Sequence, residues 1–239
     1  DTEHTYTEFI ARLKPGGKVI TPLYEKINHS HVKWPSDTIV LAEEQTHDIT
    51  VPMPGNHMRI NAALACEAAV LIGIDREKAK KMLASFPGLS RRFELLGIHH
   101  GIEIRSDYGH HPTEITATIA GARQVQPQAH IIAVFEAHMP LRLHTFLDDF
   151  AASLATADSV VIVPPFVPAG RDSSDSTRDA HRLQDMIMAQ GKQVTYVEHI
   201  SELPNVIDQH QTSDKKSIVA IGFSAGFLDL ELRKIVNKH

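Results

Sequence analysis

Asp107-Tyr108-Gly109-His110-His111-Pro112-Thr113-Glu114 lies where the chain turns from strand to helix. Just ahead of it, Gly101 to Ser106 alternates apolar and polar residues and reads as a short strand. Just behind it, Thr113 to Gln126 reads as a helix. Pro112 suits the first helical position, where its missing N–H would be unpaired in any case. An acid, a phenol and two imidazoles therefore sit on a strand-to-helix turn. In an open α/β sheet, the crevice at the carboxyl ends of the strands is where ligands bind. The plain alternative for His110-His111 is a polar loop with no chemistry.

Moving outward, the chain from about residue 90 alternates strand and helix. His130 to Phe135 is a buried strand, Leu143 to Ala155 an amphipathic helix, and Ser159 to Val163 a strand before Pro164-Pro165. Ser176-Thr177-Arg178-Asp179 reads as a capping box that opens a helix to Gln190, with Gly191 ending it. Val194 to Val197 is a strand, Ser201 to His210 a helix, Ser217 to Ile221 a strand and Leu228 to Val236 a helix. This alternation predicts an α/β fold: a doubly wound, mostly parallel, Rossmann-like sheet covered on both faces. Upstream, Tyr6 to Leu13 is helical, and Lys18 to Thr21, Thr38 to Ala42 and Asp48 to Val51 are strand candidates. Met58 to Gly73 is an Ala-rich helix stopped by its glycine, and Asp75 caps a helix over Arg76 to Ser85. Phe86-Pro87-Gly88-Leu89 makes a linker, so the expected domains are 1–89 and 90–239.

Composition narrows the function. A net charge of −5 over 239 residues gives no electrostatic support to a nucleic-acid partner. The single cysteine, Cys66, lies in a helical apolar pattern, which excludes a disulfide framework and fits a reducing compartment. No apolar run is long enough to span a bilayer and no signal peptide leads the chain, so no membrane partner is expected. The 16 histidines are scattered, which argues against a tag or metal-storage tract.

Four strand ends fall along one edge of the second domain's sheet: Asp107 to His111, Glu136 to Arg142, Pro168 to Ser173, and Gly222 to Gly226. Imidazoles and a guanidinium gathered there suit an anion, either phosphate or the carboxylate of an amino acid. Asp107 could accept hydrogen bonds from ribose hydroxyls. Zinc held by His110, His111 and His138 is a second possibility, opposed by the adjacency of two of them and by the lack of ligand spacing. Gly222-Phe223-Ser224-Ala225-Gly226 has the form of a hydrolase elbow, but Asp229 and His239 lie too near the chain end to complete a triad.

These residues, taken together, resemble the Mur ligases, the ATP-dependent amide-forming enzymes of peptidoglycan precursor synthesis. Gly55-Asn56-His57-Met58-Arg59-Ile60-Asn61-Ala62 is similar to the family's G-x-H-N-x-x-N-A segment, and Arg91-Arg92-Phe93-Glu94 to its R-R-F-E segment. Asp107 to Glu114 resembles the D-Y-G-H-H-P-T-E of the alanine-adding branch in particular. Phe135 to Phe150 keeps His138 and Arg142 of F-Q-P-H-R-Y-T-R, and Asp1 to His4 resembles the end of E-x-D-H-x-D. Departures are Met58 for an Asn, Met139 for an Arg, Leu141 for a Thr and Glu3 for an Asp. No G-x-x-x-x-G-K-[ST] occurs. The chain thus resembles the last part of the central ATP-binding domain plus the C-terminal domain.

The resemblance implies ATP and Mg2+ as cofactors, small-molecule substrates and a cytoplasmic setting. It implies an acyl phosphate made from ATP and a muramic-acid carboxylate, then attacked by the amine of an amino acid. Asn61 would hydrogen-bond adenine, with His57 shaping that helix start, and Asp107 would hold the ribose. Arg92 would reach the terminal phosphate; Arg92 and His110 are the catalytic candidates. Tyr108, His110, His111, His138 and Arg142 would form the amino-acid pocket, and His4 would be a magnesium ligand. The plainer readings are that Asn61 caps or bridges helices, that Arg92 pairs with Glu94 and that His4 belongs to a loose terminus. The chain alone, lacking a P-loop, is expected to be catalytically silent. A murein tripeptide ligase of the same family and a non-catalytic nucleotide-binding module are the alternatives.

Overall fold

The structure, a computed structural model, describes residues 2–166, 174–211 and 217–237, with side chains left aside at Thr2 and at 174–176. The chain divides into two compact units, Asp1–Pro52 with Asn56–Pro87, and Met53–Gly55 with Gly88–His239. None of the described helices is long and apolar enough to cross a membrane.

The first unit runs α1 (Thr2–Ala11), β1 (Ile20–Pro22), α2 (Leu23–Asn28), β2 (Ile39–Leu41), α3 (Asn56–Leu71) and α4 (Arg76–Ala84). β1 and β2 pair in parallel, Ile20 opposite Ile39. Leu41, Ile49, Ala62, Ala63, Cys66 and Ala79 form its core. Burial pushes the Cys66 thiol up, which keeps it protonated and inert. Asp75 caps α4 by accepting from the Lys78 N–H at 2.9 Å. Asp48 to Val51, expected as a strand, is not one. A 3₁₀ turn over Glu43–Thr46 precedes it, and its buried Ile49 donates back to the Thr46 carbonyl rather than to a neighbouring strand.

The second unit runs β3 (Glu94–His99), β4 (Ile102–Asp107), α5 (Pro112–Val125), β5 (His130–His138), α6 (Pro140–Thr145), α7 (Leu147–Leu154), β6 (Ser159–Phe166), α8 (Ser174–Ala189), β7 (Gln193–Tyr196), α9 (Leu203–Asp208), β8 (Ile218–Phe223) and α10 (Leu228–Val236). The sheet order is β3-β4-β8-β5-β6-β7. β4, β8, β5, β6 and β7 are parallel, and β3 joins the edge antiparallel. On one face Ile131, Ala133 and Phe135 of β5 pack with α5, α7 and α8. On the other, Ile132 and Val134 pack with α9 and α10. Burial on both faces is why His130 to Phe135 reads as an unbroken apolar run rather than an alternating one.

The structure differs locally from expectation in four places. β3 was not anticipated; it is held by the hairpin to β4, and its Leu95 and Ile98 are exposed, so it lacks the apolar run of a central strand. The expected single helix over Leu143 to Ala155 is two, because Phe146 leaves the helical region at φ −112 and ψ 29. α8 begins at Ser174, which places Ser176 inside its first turn and not at the cap. β6 also runs on through Pro164 and Pro165, after which a register shift sets Phe166 opposite His138.

Candidate ligand-binding rim

Asp107, Phe223 and Phe135 lie in register across β4, β8 and β5; β4 and β8 end there, and β5 runs on to His138. The hub of that edge is the Asp107 carboxylate, 2% exposed. It accepts from the Phe93 N–H at 2.9 Å and from the Gly109 N–H at 2.7 Å. Gly109 is required there, because a Cβ would stand 2.8 Å from Asp107 Oδ1. The Tyr108 N–H donates to the Arg91 carbonyl at 2.7 Å, so Arg91-Arg92-Phe93 is clamped against the turn. That clamp offsets the left-handed backbone at Arg91 (φ 60) and Phe93 (φ 52), which is costly for residues with a Cβ. Asp107, expected at the ribose, is buried here with each carboxylate oxygen accepting from a backbone N–H.

The turn then opens α5 through a capping box. Glu114 Oε2 accepts from the N–H groups of His110 at 3.0 Å and His111 at 3.1 Å. The His111 ring accepts from the Thr113 N–H at 3.4 Å and lies edge-on to Phe146 at 5.1 Å. His111, expected in the ligand pocket, is therefore the helix cap. Arg92 lies 3.8 Å from Glu114, not beside Glu94, and its guanidinium stands 5.8 Å over the Tyr108 ring. His110 Nδ1 lies 2.9 Å from the Tyr108 carbonyl. A carbonyl only accepts, so Nδ1 carries a proton and Nε2 is the nitrogen left to face a ligand.

From His110 a row of rings crosses the rim. His110 meets His138 edge-on at 6.3 Å, His138 stacks on Phe166 at 5.3 Å, and Phe166 meets Phe227 edge-on at 5.0 Å. Past His138 the chain turns sharply at Met139 (φ 69) into α6, which carries Arg142. The half-buried Arg142 has a buried Nη1 with no hydrogen-bond partner among the described residues. Beyond Phe166 lies a cleft of about 610 Å3 lined by Glu136, Phe166, Glu198, His199 and Phe227, among others.

Glu136, named in the sequence only as the start of a strand end, carries a signal of its own: a carboxylate directly following the apolar run His130 to Phe135. It is 3% exposed, and burial pushes its carboxyl up. It accepts from the Ser224 hydroxyl and from the N–H groups of Phe227 at 3.2 Å and Leu228 at 3.4 Å, and so caps α10. Ser224 is 2% exposed and its hydroxyl serves Glu136 and the Gly226 N–H, which removes the hydrolase reading. Among the described residues, the one group of three potential metal ligands does not include His110, His111 or His138. Pro168 to Ser173 and His239 lie outside the described residues.

In the first unit, Asn61 stands exposed on α3 and His57 half-buried one turn earlier. Asn61 neither caps nor bridges a helix, being in mid-helix with no hydrogen bond among the described residues. His4 lies on α1, 3.5 Å from Glu8, and both are exposed. Magnesium prefers oxygen ligands, and one imidazole beside one carboxylate is not such a set.

Comparison with known proteins agrees with this architecture. The family model described as "Mur ligase, glutamate ligase domain" matches residues 91–222, more than half the chain. The UDP-N-acetylmuramate–L-alanine ligase of Caldanaerobacter subterraneus subsp. tengcongensis is 34% identical over 170 residues, which are 71% of this chain and 36% of that protein. The ligase of the same name from Mycolicibacterium gilvum is 42% identical over 127 residues, 52% of this chain and 27% of that protein. The solved UDP-N-acetylmuramate–alanine ligase of Thermotoga maritima gives a TM-score of 0.61 at 23% identity, covering 79% of this chain and 39% of that one. A murein peptide ligase from Psychrobacter arcticus gives 0.65 at 19% identity, covering 99% and 55%. At these identities the two structures show a shared fold. The chain spans about a third of the length of the curated relatives it matches.

Proposed function

The chain belongs to the Mur ligase family, and from that premise we propose that it supplies the amino-acid end of an ATP-dependent carboxylate–amine ligase acting on UDP-N-acetylmuramate and L-alanine. The observation that carries this reading is Arg142: a cation at the carboxyl edge of the sheet, with a buried Nη1 that no described residue satisfies. A carboxylate ligand satisfies it with a charge-assisted bond. His138, four residues before, and His110, edge-on to it, complete a rim for an α-amino acid.

In the reaction, ATP phosphorylates the muramic-acid carboxylate, and the amine attacks the acyl phosphate to give amide and phosphate. This chain's residues act by holding the amino acid and managing charge and protons. Arg142 fixes the carboxylate and so points the amine. His110 Nε2, with Nδ1 held by the Tyr108 carbonyl, takes the proton that the attacking ammonium must lose. Arg92, held half-exposed over Tyr108, neutralises charge on the transferred phosphoryl group, which a planar fork does better than an ammonium. Asn61 offers adenine an amide donor and acceptor. Magnesium enters with the nucleotide's phosphates in this reading, and no step is assigned to a metal held by His4.

The test is phosphate release with ATP, magnesium, UDP-N-acetylmuramate and L-alanine. Residues 1–239 joined behind a P-loop domain should release phosphate only when L-alanine is present. The 239-residue chain alone should not, because no P-loop amides or lysine cradle the phosphates. Turnover by the chain alone at about 1 per second or more would overturn the reading.

A further inference from the structure

At the opposite edge of the second unit's sheet, the β3–β4 hairpin turns through His100-Gly101, both left-handed at φ 48 and φ 84. Such two-residue turns favour Asn-Gly, and a histidine in the first position is held there at a cost. The left-handed turn has a consequence for side chains. Consecutive strand residues point to opposite faces, but here the rings of His99 and His100 lie together, their centroids 4.1 Å apart. Both reach one atom. His99 Nε2 and His100 Nδ1 each stand 3.1 Å from Oδ1 of Asp208, the last residue of α9.

We propose that His99, His100 and Asp208 form a binding site for a divalent transition metal of the zinc class. The three ligand atoms lie within 4.8 Å of one another, and this is the one group of its kind among the described residues. Two imidazoles and a carboxylate suit zinc and its borderline neighbours, not the hard cations that prefer all-oxygen cages. Zinc–ligand bonds of about 2.0–2.1 Å in a tetrahedron separate ligand atoms by about 3.3 Å. The two 3.1 Å separations are close to that edge, and the imidazole–imidazole separation falls within the same 4.8 Å span. His99 is buried, Asp208 half-buried and His100 exposed, leaving the fourth position to water. The Gln211 side-chain amide donates to the His100 carbonyl and holds the turn in place.

The site is separate from the ligand rim. It adjoins the start of β4, whereas Asp107 ends that strand five residues on, about 17 Å away. A metal there staples the edge hairpin to α9, which covers one face of the sheet. Its consequence is stabilisation of the second unit, independent of nucleotide or amino acid.

The experiment is zinc chloride titrated into the 239-residue chain by calorimetry at neutral pH, with thermal melting in parallel. The expected result is saturable binding of one zinc and a raised melting midpoint. His100→Asn is the sharp variant, since Asn-Gly keeps the turn and its preferred backbone while removing the imidazole. It should melt no lower than the parent without zinc, yet bind zinc at least about tenfold more weakly. Asp208→Asn should weaken binding similarly, and His138→Ala should leave it intact. Zinc binding unchanged in both His100→Asn and Asp208→Asn, the absence of a saturable site, or loss of the site in His138→Ala would each overturn the proposal.

Discussion

Replacing Asp107 by alanine separates two accounts of the rim. In the structure its carboxylate is 2% exposed and accepts from two backbone N–H groups, Phe93 at 2.9 Å and Gly109 at 2.7 Å. Each bond to a charged acceptor is worth about 1.5–3 kcal/mol, and in Asp107→Ala both N–H groups lose their partner. The expected loss is about 3–6 kcal/mol, at the lower end where water reaches the gap. For a domain of roughly 150 residues, each kcal/mol lowers the midpoint by about 2–4 °C. The second unit should therefore melt on the order of 10 °C lower. Asp107→Asn keeps one acceptor and should show about half the effect. Calorimetry read alongside ADP binding decides the matter. A midpoint within about 2 °C of the parent, with ADP binding lost, would refute the clamp and restore a ribose contact.

Two other perturbations follow from the same edge. Gly226→Ala places a Cβ 2.4 Å from Glu136 Oε2 and 2.7 Å from the Phe166 Cβ; overpacking of this kind costs about 1–3 kcal/mol and should disturb the Phe166–His138 stack, visible as shifted aromatic resonances of His138. Glu136 gives a pH signature, because burial raises its carboxyl above the ordinary value of 4.5 in the folded state. The folded protein then binds the extra proton, so that contribution is complete at low pH and is lost as pH rises through the raised value. The unfolding free energy of the parent relative to Glu136→Gln should fall as pH rises above the ordinary value of 4.5, and a difference that rises there would contradict the burial argument.

The second unit's architecture was legible because periodicity changes where burial changes. The run from His130 to Phe135 could be read as a two-face-buried strand, and Pro112 after two polar residues as a helix start. The units also divide between Pro87 and Gly88, where proline and glycine break the periodicity, and the short Met53–Gly55 segment, flanked by Pro52, belongs with the second unit. What sequence spacing could not give was the use of each polar atom. Asp107 and His111 read as ligand groups and Ser224 as a possible nucleophile, and all three hold local structure through bonds to backbone or to a buried partner. Conversely, Phe166 and Phe227 carry no motif and acquire meaning only when β6 and β8 end beside His138. β3 was missed because an edge strand with exposed apolar residues lacks the pattern of a central one, and Asp48 to Val51 was overcalled because alternation alone does not supply a partner strand.

The central claim is that Arg142 receives the carboxylate of the amino acid. The most direct test is steady-state kinetics of Arg142→Ala in an enzyme carrying this chain behind a P-loop domain, with L-alanine and ATP varied in turn. Loss of one charge-assisted hydrogen bond is worth about 1.5–3 kcal/mol, so KM for L-alanine should rise on the order of ten- to hundredfold while KM for ATP holds. Equal changes in both constants, or a change confined to ATP, would contradict the account.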